Sequence, residues 1–268
     1  MTRRANLIIT VISALLCGSA QAGERFELVL RLQNDSAGVL PAAEVCGLKP
    51  LSLNGRVSDW RIEASSPVRL RSREYCLQHE ELGPYQSQRI SMQWQPGIEG
   101  QDEAWTSEAS FDLIQEPSEQ LRRLAKSFAI YPRRERVERI FAWMVEHIAF
   151  FGIRRGVEGA EHALQVGGGD CTEHMLLAGE LLERNGVTVR RILGAVVPNE
   201  QHHISASGLH NWIEYRDNGR WLVFDSSRRL LGAPKDSRYL GLLFYSNTRQ
   251  LSLQPLFTDS PSLKLFLQ

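Results

Sequence analysis

The chain has 268 residues, 43% of them hydrophobic, with 31 basic and 31 acidic side chains. That length suits one large domain or two smaller ones at roughly 100–200 residues each, and the composition excludes collagen-like repeats and wholesale disorder. Zero net charge argues against nucleic acid as a partner, because phosphate contacts need a basic surplus; four cysteines without a Cys-x-x-Cys pair argue against a structural zinc or iron–sulfur site.

Arg3 and Arg4 precede an apolar run from Leu7 to Cys17, followed by Gly18-Ser19-Ala20-Gln21-Ala22. A charged start, a short apolar stretch and an A-x-A ending form a secretory signal peptide over residues 1–22, cleaved after Ala22. The run falls short of the about 20 apolar residues that a membrane span needs, so no membrane anchor is expected after cleavage. Bulky Leu16 before Cys17 speaks against lipoprotein processing. The expected location is periplasmic or secreted, in a bacterium, where disulfides persist.

Residues 23–114 show mostly period-two patterning. Phe26, Leu28, Leu30 and Leu32 alternate with Glu27, Val29 and Arg31, and Ile90, Met92 and Trp94 alternate with Ser91 and Gln93. Trp60 and Ile62 form a shorter example. Turn signals such as Asn54-Gly55, Gly83-Pro84 and Pro96-Gly97 separate these runs, so an N-terminal antiparallel β domain is expected. Cys46 and Cys76 are its two cysteines. The oxidising compartment favours a disulfide between them; two separate buried thiols are the alternative.

Residues 115–268 change texture. Leu121, Leu124, Ala125 and Phe128 fit one helical stripe, and Pro132 suits the first turn of a second helix. Val137, Ile140, Phe141, Met144, Val145 and Ile148 then recur with helical spacing. A third helix is expected from about Asp170, with Asp170 and Glu173 spaced as a capping box and Asn185-Gly186 at its end. Cys171 would then stand at the first helical position. Free backbone N–H groups there favour a thiolate and can help to hold an oxyanion. By itself this is a weak signal, since a lone cysteine is most often a small buried hydrophobe.

Val187 to Val197 reads as a strand. Two further strands, His210 to Arg216 and Arg220 to Asp225, flank Asp217-Asn218-Gly219, a strong hairpin signal. A two-residue turn at Asn218-Gly219 pairs Trp212 with Asp225 and puts His210 and Asp225 on one face as diagonal neighbours. A three-residue loop would put them on opposite faces. With the first register, Cys171, His210 and Asp225 compose a Cys-His-Asp triad: nucleophile, general base and acid, and orienting carboxylate. Tyr239 to Tyr245 and Leu263 to Leu267 read as closing strands with core side chains.

Gly169-Asp170-Cys171-Thr172-Glu173-His174, Arg184-Asn185-Gly186-Val187, His210-Asn211-Trp212-Ile213-Glu214 and Gly219-Arg220-Trp221-Leu222-Val223-Phe224-Asp225 together resemble the transglutaminase-like core. The resemblance spans roughly residues 117 to 230, with its blocks in the family's order. It implies an α+β domain similar to papain, a nucleophile helix packed on an antiparallel sheet. It also implies that Cys171, His210 and Asp225 are catalytic. Members range from protein cross-linkers to peptidases and amide hydrolases. This chain departs from the family in having Asn211 after the histidine, Asp225-Ser226-Ser227 at the strand end and Phe150-Phe151 where a tyrosine is common. The second oxyanion donor therefore stays unassigned, with Trp143 and Gln165 the candidates.

The expected function is a periplasmic thiol enzyme that acts on amide or peptide bonds through an acyl-enzyme, either a hydrolase or a transamidase. A protein or peptide substrate is its partner. A non-catalytic binding or scaffolding module on the same fold is the alternative. No cofactor is expected. A metal set of Cys171, His174, His202 and His203 has no recognised ligand spacing, so none is expected there; His174 is read instead as a wall of the site.

Overall fold

The computed structural model describes residues 24–99, 111–153 and 156–268. The signal-peptide reading of residues 1–22 lies outside these. Strand β1 (Phe26–Asn34) buries Phe26, Leu28, Leu30 and Leu32 on one face, as its alternation dictates. It is followed by β2 (Ala43–Leu48), β3 (Ser52–Leu53), β4 (Arg56–Ala64), β5 (Val68–Leu70), β6 (Glu74–His79) and β7 (Ser87–Glu99).

Helix α1 (Glu119–Phe128) starts at Ser118, whose hydroxyl accepts from the Leu121 N–H, and buries Leu121, Ala125 and Phe128. Helix α2 (Arg133–His147) buries Val137, Ile140 and Met144 and has Pro132 at its N-cap, one position earlier than expected. Strand β8 (Ala149–Phe150) pairs in parallel with β9 (Gly168–Gly169), and between them lies a short helix that the patterning did not show, α3 (Ala160–Val166). Helix α4 (Cys171–Arg184) follows, then β10 (Val189–Pro198), β11 (Leu209–Asp217), β12 (Arg220–Asp225), β13 (Leu230–Gly232), β14 (Ser237–Tyr245), β15 (Leu256–Phe257) and β16 (Leu263–Leu267).

The fold is α+β. Ten strands form one antiparallel sheet in the order β13-β12-β11-β10-β14-β3-β4-β7-β1-β16. The helices cover one face of its β10–β14 part, where Leu177, Leu181, Ile140 and Met144 pack with Ile213, Tyr215, Phe224 and Leu243. Four strands, β15-β2-β6-β5, form a second sheet. It is packed on β1 and β7 through Val45, Tyr75, Leu77, Leu30 and Trp94.

The expected division at residues 114/115 marks a change of texture and not a change of sheet. β14 pairs with β10 on one side and β3 on the other, and β15 and β16 return to pair with β2 and β1. The physical reason is edge protection. Without β16, β1 would present an open row of N–H and C=O groups. Leu263, Leu265 and Leu267 face the sandwich core, and the Arg31 guanidinium lies 4.3 Å over the outward Phe266 ring.

Cys46 and Cys76 stand directly opposite each other on β2 and β6 and form a disulfide across 30 residues of sequence. Closing a loop of that size restricts the unfolded chain and stabilises by about 3.7 kcal/mol. The double variant Cys46→Ser/Cys76→Ser is expected to lose that much in urea unfolding. An unchanged midpoint would show that the second sheet does not depend on the bridge.

Candidate active site

The nucleophile position is built by local chemistry. Asp170 caps α4: its Oδ1 accepts from the Thr172 N–H at 2.7 Å, and Glu173 Oε2 accepts from the Asp170 N–H at 3.3 Å. Both halves of the expected capping box are present. Glu173 Oε1 also accepts from the N–H groups of Glu158 and Gly159, at 2.9 and 3.3 Å, tying the preceding loop to the helix start. Burial, with the nearby Asp170, raises the Glu173 carboxyl above its ordinary value. The glycines before the cap are steric requirements. A Cβ at Gly168 would stand 2.3 Å from Phe151 Cζ, and one at Gly169 would stand 2.4 Å from Glu173 Cβ. Cys171 is left half-buried, with a free thiol, at the first helical position.

The hairpin takes the two-residue turn. Asn218 and Gly219 have φ of 48° and 80°, and Asp217 pairs with Arg220. His210 and Asp225 thus share a face, and His210 Nε2 donates to Asp225 Oδ2 at 2.7 Å. The Cys171 side chain is close enough to act on the same ring. The sequence-derived triad residues therefore come together, Asp225 bonded to the His210 ring and Cys171 acting on it.

Burial disfavours a charged His210 ring. The hydrogen bonds and charges of Asp225 and Cys171 overcome it and raise the ring's pKa to about 9. Burial likewise pushes Asp225 up, but the bonds from His210, the Ser227 hydroxyl and the Arg228 N–H outweigh it and hold the carboxyl below its ordinary value. Ser227 Oγ and the Arg228 N–H donate to Oδ1 at 2.7 and 3.1 Å. Oδ2 takes a second bond, from the Tyr239 hydroxyl at 3.0 Å.

Several of these partners were not foreseen. Patterning marks Tyr239 only as core of a closing strand, because nothing local says which carboxylate its hydroxyl will meet. Trp212 stacks on the His210 ring at 6.4 Å between centroids and meets Tyr239 edge-on at 5.1 Å. Asn211, one of the departures, donates to Thr172 Oγ1 at 2.9 Å and accepts from the Tyr245 hydroxyl at 3.1 Å. It thereby ties β11 to the first turn of α4.

The remaining candidates sort by position. His174 is buried, with Nδ1 2.8 Å from Ser226 Oγ, and burial lowers its pKa. Trp143 stacks on His147 at 4.8 Å and meets Phe128 edge-on, so it packs α1 on α2. Gln165 is exposed on α3. His202 and His203 sit with β1: the His202 carbonyl accepts from the Glu27 N–H, and His203 meets the Gln268 carbonyl. Among the described residues, the grouping of possible metal ligands is Glu44 with Cys46 and Cys76, whose sulfurs the disulfide occupies.

Two clefts include residues of the first turn of α4. One of about 690 Å³ is lined by Glu158, Asp170, Thr172, Leu176, Leu251 and Ser252. The other, about 360 Å³, is lined by His147, Phe150, His174, Ser226, Ser227 and Arg229. No helix among the described residues is long and apolar enough to cross a membrane.

Residues 122–226 match the model of the transglutaminase-like superfamily. A provisionally assigned cysteine protease from Cytophaga hutchinsonii has a similar structure. It is 13% identical, with a TM-score of 0.51, over 91% of this chain and 89% of that one. At that identity the likeness concerns the fold. The periplasmic domain of TgpA from Pseudomonas aeruginosa matches over 78% of this chain and 89% of its own, at 14% identity and a TM-score of 0.39. Legionella pneumophila LapG matches over 50% and 76%, at 15% identity and a TM-score of 0.36. No curated protein matches by sequence.

Proposed function

From a transglutaminase-like core at residues 122–226, we propose a Cys-His-Asp thiol enzyme that cleaves or transfers across amide or peptide bonds in the periplasm or outside the cell. The observation that carries this is His210, bonded to Asp225 at 2.7 Å, with the Cys171 thiol at the start of α4 close enough to act on the same ring. This supports a single ring that takes a proton from the nucleophile and returns it to a leaving group.

The steps follow from that geometry. Cys171 Sγ bonds to the substrate carbonyl carbon while its proton passes to His210. The carbonyl becomes an oxyanion beside the N-terminus of α4, where the first N–H groups have no intrahelical acceptors. The carbon–nitrogen bond then breaks, and His210 protonates the departing amine. A thioester on Cys171 remains. Water or a second amine attacks it as His210 takes up the attacker's proton, and the thiolate leaves to be reprotonated. Asp225 keeps the ring oriented throughout and offsets its positive charge. The clefts of about 690 and 360 Å³ flank the first turn of α4, next to Cys171 in sequence, and a protein or peptide is the proposed substrate. No cofactor enters these steps.

A peptide-library digest compares the mature protein with Cys171→Ala. Products expected from the wild type alone would support the reading, and identical product patterns would sink it. A labelled primary amine in the same assay separates the two fates of the acyl group. Label joined to product marks a transamidase; unlabelled carboxylic products mark a hydrolase.

A further inference from the structure

Two hydrogen-bonded routes lead from one turn of the N-terminal half to the back of the triad. Asn54 and Gly55, with φ of 51° and 84°, form the turn between β3 and β4. Asn54 holds both backbone groups of Tyr239: its Oδ1 accepts from the Tyr239 N–H at 2.9 Å, and its own N–H donates to the Tyr239 carbonyl at 2.8 Å. Tyr239 belongs to β14, yet its hydroxyl reaches Asp225 on β12, with β10 and β11 between them in the sheet. Along the second route, the Gly55 carbonyl accepts from Arg190 at 2.8 Å, and Arg190 pairs with Glu214 at 2.6 Å. Glu214 accepts from Trp212 Nε1 at 3.4 Å, and Trp212 stacks on His210. Gly55 has no room for a side chain, since a Cβ there would stand 2.6 Å from the Trp221 carbonyl.

We propose that the Asn54-Gly55 turn is a positioning element for the active site, acting on Asp225 through Tyr239 and on His210 through Arg190, Glu214 and Trp212. This rests on the triad reading given above. It gives the N-terminal half a part in the chemistry without any contact with substrate. Tyr239 is a positioning residue: its hydroxyl shares Asp225 Oδ2 with His210 and so sets how much of that oxygen's charge the ring receives. The groups that face His210 are Cys171 and His174 from α4, Asp225 from β12, Ser227 just beyond it, and Tyr239 through Asp225. Tyr245 faces the thiol itself.

The test uses the mature chain and needs no known substrate. Iodoacetate carries a negative charge, so its reaction with Cys171 is assisted by a protonated His210 and slows as the ring loses its proton. Tyr239→Phe removes only the hydroxyl and returns Oδ2 wholly to the ring. The alkaline fall in alkylation rate is then expected to move up by about half a pH unit. Asn54→Gly keeps the positive φ and removes the side-chain acceptor. It is expected to shift the profile in the same direction by less, and the double variant no further than Tyr239→Phe alone. Cys46→Ser/Cys76→Ser is the comparison, expected to lose stability with the profile unmoved. Folded Tyr239→Phe protein with a wild-type profile overturns the inference, as does an equal shift in the disulfide-free variant. A folded Asn54→Gly protein with a wild-type profile overturns the part given to the turn; if Asn54→Gly fails to fold, Asn54→Asp, which changes the charge of the acceptor on the Tyr239 N–H, takes its place under the same criterion. A wild type with no alkaline fall at all would instead overturn the triad reading itself, and this inference with it.

Discussion

His210→Ala is expected to lower kcat/KM on a cleavable peptide by about 10⁴-fold, or about 5.5 kcal/mol of transition-state stabilisation. The ring is bonded to Asp225 and stands close enough to the Cys171 thiol to interact with it, so its loss is expected to remove proton uptake and proton return together. Cys171→Ala should cost as much, and the two losses should not add, because each abolishes the same step. Steady-state kinetics with circular dichroism as the folding control would check this; a His210→Ala protein within tenfold of wild type would refute the general-base role.

The wild-type pH profile should report the same ring. His210 is raised to about 9, so activity that needs the protonated partner of the thiolate should fall as the pH passes through about 9. Stability should follow with a definite sign. Between the ordinary value of 6.5 and about 9 the folded protein holds a proton that the unfolded chain has released. This contribution is complete below 6.5 and is lost as the pH rises through about 9. Asp225 acts oppositely. Its folded value lies below the ordinary 3.8, so its contribution is complete above 3.8 and is lost as the pH falls through the folded value. Unfolding midpoints across the pH range, with His210→Ala and Asp225→Asn as references, would separate the two.

The largest loss of stability is expected from Glu214→Gln. Arg190 and Glu214 are 1% and 0% exposed and 2.6 Å apart, and the guanidinium lies between the Trp221 and Phe244 rings at 4.3 and 4.4 Å. Removing the carboxylate takes from this buried cation a counter-charge 2.6 Å away, at a cost of about 3–5 kcal/mol. Replacing both partners by apolar residues of similar volume should cost much less, since the desolvation of both charges then disappears. Denaturant unfolding of Glu214→Gln and of Arg190→Met/Glu214→Leu would show this ordering. A single variant as stable as the double would mean that water reaches the guanidinium.

The candidate site was largely legible because its signals are short-range. The capping box Asp170-Glu173 concerns side chains within one helical turn, so the helix start and the placement of Cys171 on it could be read directly. The Asn218-Gly219 turn sets a two-residue register. Strand alternation then carries that register as far as His210 and Asp225. The helical stripes of α1 and α2 and the alternation of β1, β4 and β7 were legible for the same reason: side-chain period follows from local backbone geometry. Helix α3 escaped because seven residues are too few to display a period.

Which strand pairs with which was another matter. β14 is buried along most of its length, so its sequence says core but not on which sheet or beside which neighbour. Only the assembled sheet puts β14 between β10 and β3, closes β1 with β16, and carries the Tyr239 hydroxyl to Asp225 and the Asn54-Gly55 turn to the back of the triad. Local chemistry alone dictates a helix that begins at Cys171, a hairpin at Asn218-Gly219 with two possible registers, one of them setting His210 beside Asp225, and a β-rich N-terminal half. The assembled fold selects the register, joins the hairpin and the N-terminal strands in one sheet under the Cys171 helix, and sets what lies behind His210 and Asp225. Periodicity and turn chemistry act over a few residues, whereas long-range pairing is selected by which buried faces and open edges complement one another.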